Sequence, residues 1–100
     1  MPHNHPAAAT DDPQMRADLA EIHGDGLLFL TGLDDCVLGV IEEPGQLPRV
    51  AYGVEKILRA LERGGASEEE ALEHFDANIA GLRLGPRTPA LILERPSPDA

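Results

Sequence analysis

Tryptophan is absent from this 100-residue chain, and tyrosine and phenylalanine together supply only three residues. With 42% of the residues hydrophobic, any interior must be mainly aliphatic. Cysteine is nearly absent too. The lone Cys36 excludes an internal disulfide and fits a reducing cytosol, so a cytoplasmic location is expected. Basic residues are scarce: 8 Lys and Arg stand against 18 Asp and Glu, a formal net charge of −10. Such a chain is repelled by nucleic-acid phosphate and by anionic membrane, so direct binding to either is not expected. Long apolar runs are missing. Unbroken runs such as those at 27–30 and 36–38 fall far short of the roughly 18 residues a spanning helix needs. No basic segment leads into an apolar stretch near residue 1, so no secretory signal is expected. The length suits one domain.

What is present gives an architecture. Residues 1–10 offer nothing to bury and read as a disordered tail, and 95–100, with two prolines, as a frayed one. Asp12-Pro13 opens a helix over 13–23, with Met15, Leu19 and Ile22 as its apolar stripe and Gly24 as its stop. The glycine-flanked run 27–31 reads as a buried strand. Residues 36–41 read as a second strand, Val37, Gly39 and Ile41 sharing one face, with a helix capped by Asp34 or Asp35 as the alternative. Residues 49–52 form a third strand and 89–93 a last one. Between these, Val54, Ile57, Leu58 and Leu61 fall at helical spacing, and Gly64-Gly65 ends that helix after Arg63. Ser67 followed by Glu70 is a capping box. It opens a helix over 67–80 whose stripe is Leu72, Phe75 and Ile79, with Ala71 and Ala80 beside it. The order α, β, β, β, α, α, β predicts an α+β domain over 11–94. In it a small sheet of about four strands packs against an αα-hairpin, with an additional N-terminal helix.

Several segments together resemble a family of small proteins found in bacteriophage and bacterial genomes. They are Gly32-Leu33-Asp34-Asp35 followed by an apolar run with Gly39, then Val50-Ala51-Tyr52, Glu55-Lys56 and Ser67 to Ala71. Phe75 to Gly81 and Gly85 to Pro89 complete the set. The resemblance covers residues 31–93. It departs at Gly53, where the family commonly has an acidic or small polar helix cap, and at Leu82-Arg83, where an aromatic is frequent. It implies a phage-like genome context and names no chemistry.

Candidate contact residues are Asp34, Asp35, Tyr52 and Asn78. A paired carboxylate in a turn can hold a hard cation or share a proton. The simpler reading of Asp34-Asp35 is a turn in which one Asp caps neighbouring N–H groups. Tyr52 reads as core cover or as an edge residue in a partner contact. Asn78, inside a helix, reads as an anchor for the loop 85–89. Glu68, Glu69, Glu70, Glu73 and Asp76 form an acidic face, ordinarily a solvated one. His3, His5, His23 and His74 share no zinc-type spacing with one another or with Cys36, so no metal or other cofactor is expected. Ser67 is occupied as a cap, and Cys36 lies in an apolar run where a thiol stays protonated. Gly24-Asp25-Gly26 precedes a strand rather than a helix, the wrong order for a phosphate loop.

The resulting expectation is a non-enzymatic protein-interaction module, with a homodimer through a sheet edge among the options. An acidic mimic of nucleic acid, acting on a host or defence protein, is the alternative. A small ligand binder or enzyme using the Asp34/Asp35 turn is the third.

Overall fold

The computed structural model describes residues 10–94; the tail expectations for 1–9 and 95–100, with His3 and His5, lie outside them. Thr10, assigned to the tail above, belongs to the domain. Its N–H donates to the Gly32 carbonyl at 3.0 Å, and its hydroxyl accepts from the Asp35 N–H at 2.9 Å. Helix α1 spans Pro13–His23 and is capped by Asp12, which accepts from the Met15 N–H. A single 3-10 turn, Asp34–Cys36, leads into β1, Val37–Ile41, which resolves the strand-or-helix alternative for this run in favour of the strand. Strand β2 is Arg49–Gly53, α2 is Val54–Arg63, α3 is Glu68–Asn78 and β3 is Ala90–Ile92.

The fold is α+β, and the sheet has three strands among the described residues, in the order β1-β2-β3. β1 pairs antiparallel with β2, and β2 pairs parallel with β3 through the crossover that carries α2 and α3. The expected strand at 27–31 does not form. That segment is an irregular cover whose Leu30 N–H donates to the Tyr52 hydroxyl at 2.6 Å rather than to a neighbouring strand. A short apolar run between glycines signals burial, and a coil lying over the core satisfies it as well as a strand does.

Two further expectations are corrected by local geometry. In β1 the pairing slips between Val37 and Gly39. The bulge turns Val37 and Val40 both towards the core and leaves Leu38 exposed, so strict alternation fails. In α3 the inward stripe is Ala71, Phe75 and Ile79, all buried. Ala71 takes the inward position, and a step of about 100° per residue swings Leu72 out, where it is 51% exposed. The core unites these residues with Leu27, Leu33, Cys36, Val50, Tyr52, Ile57, Ala60 and Leu61. Helix α1 buries no residue completely, and Ile22 of its expected stripe is exposed.

The missing cap of α2 is replaced from a distance. Gly53 offers no side chain, and the Glu94 carboxylate, just beyond β3, accepts from the Glu55 N–H at 2.7 Å. A side chain at Gly53 would collide with that carboxylate. Glu94→Ala is therefore expected to cost about 1 kcal/mol, as for loss of an N-cap. The backbone at Gly53 suits a conventional cap (φ −84°, ψ 124°). Gly53→Asp should restore stability in the Glu94→Ala background and give no gain in the parent. Urea midpoints of the four proteins check both points.

Candidate functional site

The two adjacent aspartates diverge. The Asp34 side chain is fully buried and accepts from Arg16 Nε at 2.7 Å, from Arg16 Nη2 at 2.8 Å and from the Asp12 N–H at 2.8 Å. Burial alone raises its pKa. The Arg16 guanidinium and the Asp12 N–H outweigh burial and hold the carboxyl below its ordinary value. The same guanidinium lies 4.9 Å from the centre of the Phe29 ring. Asp34 thus ties α1 and the chain entering it to the start of β1. Its partners lie up to 22 residues away, rather than in its own turn as the capping reading held. Asp35 is exposed and its carboxylate faces Arg63 at 3.9 Å. The two carboxylates face different partners and do not converge on one cation or one proton.

The other candidates are also placed. Tyr52 lies at the centre of the core with no exposed surface, so a partner contact through it is excluded. Burial pushes its hydroxyl up to about 12, against the lowering effect of the Leu30 N–H. Asn78 is exposed, and its amide reaches the His74 ring and carbonyl at 3.2 Å, not the loop 85–89. A helix side chain four residues back lies closer than that loop. The loop is closed instead by Thr88, whose hydroxyl accepts from the Leu84 N–H and donates to the Gly85 carbonyl, both at 2.7 Å. Cys36 is buried, and desolvation pushes its thiol up. Ser67 and Glu70 complete the capping box at 2.9 and 3.1 Å. Glu68, Glu69, Glu73 and Asp76 are exposed, and none is ion-paired among the described residues. Among those residues, no group of three or more His, Cys, Asp or Glu is placed to hold a metal ion. No helix of theirs is long and apolar enough to cross a membrane.

The sequence reading missed a groove of about 470 Å³ that β3 helps to line. Ile41 of β1 and Arg49 of β2 line it together with residues of β3. Leu30, Ile79, Leu82 and Leu91 give it aliphatic walls, and Pro89 to Ile92 run along it. Among the described residues, Arg49 and Arg83 are the charged groups that line it, and no carboxylate does. Arg49 donates to the Thr88 carbonyl at 3.3 Å, and Arg83 to the adjacent Leu82 carbonyl at 3.1 Å. Neither pairs with a carboxylate among the described residues. Leu84 and Leu93 stand exposed in the chain flanking the groove-lining segment, at 48% and 78%. A signal for this feature was present in the sequence: the stretch 77–93 contains Arg83 and Arg87 and no acid, in a chain rich in acids.

Comparison of the chain with protein-family models, with curated proteins and with solved structures gives no match.

Proposed function

We propose that the chain is a non-enzymatic protein-interaction module that receives its partner along the outer edge of β3. The observation that carries this reading is the conjunction of an edge strand, an adjoining groove with both aliphatic and basic lining residues, and the exposed Leu84, Ile92 and Leu93. Aliphatic surface gathered at an edge strand is what a binding face requires and what a bare edge ordinarily avoids. The polar side chains that invite a catalytic reading are engaged in structure. Asp34 holds Arg16, Ser67 caps α3, Thr88 closes a loop and Cys36 is interior. In the same reading, α2 and α3 form the αα-hairpin that backs the sheet and leaves β3 for the partner. The phage-like resemblance of residues 31–93 adds a cellular or host protein as the source of that partner.

A photo-crosslinking side chain placed at Leu93 tests this in living cells. It is expected to give one discrete adduct that is absent when the same group stands at Glu73. Equal adducts at both positions, or none at Leu93, would contradict the reading. A second reading, mimicry of nucleic acid, draws on Glu69, Glu73 and Asp76, which are exposed at helical spacing and carry no ion pair among the described residues. It requires the adduct at Glu73, to a basic partner whose binding weakens steeply with salt.

A further inference from the structure

We infer that the groove beside β3 takes an extended peptide segment of a partner protein, one that carries aliphatic side chains and at least one carboxylate. The inference rests on the interaction reading above and names the chemistry of the partner. Among the described residues β3 is an edge strand, so the N–H and C=O groups that face away from β2 can pair with an added strand. Such pairing gives affinity without sequence preference, and pockets beside the strand supply the preference. Leu30, Ile79, Leu82 and Leu91 place aliphatic side chains in that groove, among polar lining that includes Arg49, Arg83 and Thr88. Its volume lies within the roughly 300–1,000 Å³ of ligand pockets.

The charge comes from Arg49 and Arg83. The chain's charge is mostly negative, yet among the described residues no acid lines this groove, and both guanidinium groups donate to backbone carbonyls rather than to carboxylates. A guanidinium with donors to spare is matched by a carboxylate, which accepts charge-assisted bonds from it. A second copy of this chain is disfavoured as the occupant. It would bring another ten negative charges within reach of the first ten. A short segment with one or two acids meets the local arginines and little of that repulsion, which is screened beyond about 8 Å at physiological salt.

The test is selection of random dodecapeptides displayed on a carrier against the full chain, followed by titration of the selected peptides. The expected consensus alternates aliphatic residues and holds an acid at a fixed offset. Arg83→Gln should weaken binding roughly tenfold, the effect of one charge-assisted hydrogen bond. Arg83→Glu should redirect the selection to peptides with Lys or Arg at that offset. Leu93→Asp should abolish binding in every case. Selected peptides that lose binding with Leu93→Asp but carry no acid, or ignore Arg83→Gln, would overturn the acidic partner while the face stands. Peptides indifferent to Leu93→Asp, or no selected peptide at all, would overturn the face as well. A dimer in sedimentation that dissociates on Leu93→Asp would assign the groove to a second copy and also overturn the inference. Arg83 is exposed and outside the core, so its variants test binding in a folded chain.

Discussion

Leu61→Ala is expected to destabilise the protein by about 3 kcal/mol or more, whereas Leu72→Ala should cost less than about 1 kcal/mol. Both leucines stand on neighbouring helices with the same chemistry, and only their orientation differs. Leu61 is 1% exposed, inside the cluster that joins α2 to Phe75, Ile79 and Tyr52. Its truncation removes apolar burial and leaves a cavity whose walls are set by two helices and the sheet. Leu72 is half in water and loses little. Urea denaturation of the two variants measures the contrast. Equal losses would mean that α3 packs on the face the sequence pattern suggested.

Arg16→Ala is expected to lower stability by about 2–3 kcal/mol at neutral pH, between the limits for exposed and buried ion pairs. The loss arises because Asp34 is left charged, buried and short of two of its three donors. Helix α1 has no fully buried residue, so this pair is a main attachment of α1 to the domain. Amide exchange over Pro13–His23 should therefore accelerate more than exchange in α2. The pH dependence has a definite sign. The folded carboxyl titrates below its ordinary value of 3.8. Its contribution is thus present above that value and is lost as pH falls through the lower folded-state pKa. The gap between parent and Arg16→Ala should narrow on acidification below that range. A gap under about 0.5 kcal/mol at pH 7, the usual size of a surface substitution effect, would contradict the role given to Asp34. So would a gap that is equal at pH 7 and in acid.

Much of the scaffold was legible in the residues because it is encoded locally. Asp12-Pro13 and Gly24 bound α1, the Val54 to Leu61 spacing defines α2, and Ser67 with Glu70 sets the start of α3. These signals act within one helical turn. What failed depends on contacts distant in sequence. Leu30 is drawn to the Tyr52 hydroxyl, and the 27–31 run becomes a cover rather than a strand. The bulge before Gly39 reverses the faces of β1, and the choice between Ala71 and Leu72 is made by the packing of α2 on α3. The cap of α2 comes from Glu94, across 39 residues. The candidate site was less legible still. Asp34 stood out as half of a carboxylate pair, yet its partner Arg16 carried no motif. Arg49 and Arg83 are 34 positions apart in the chain and come to line one groove only in the folded chain.

The most direct measurement is residue-resolved amide exchange on the full chain, with and without a selected acidic peptide. Ala90, Leu91, Ile92 and Leu93 are expected to gain protection on binding, with Glu68 to Asp76 unchanged. Protection gained along α3 with none in β3 would contradict the assignment of the binding face.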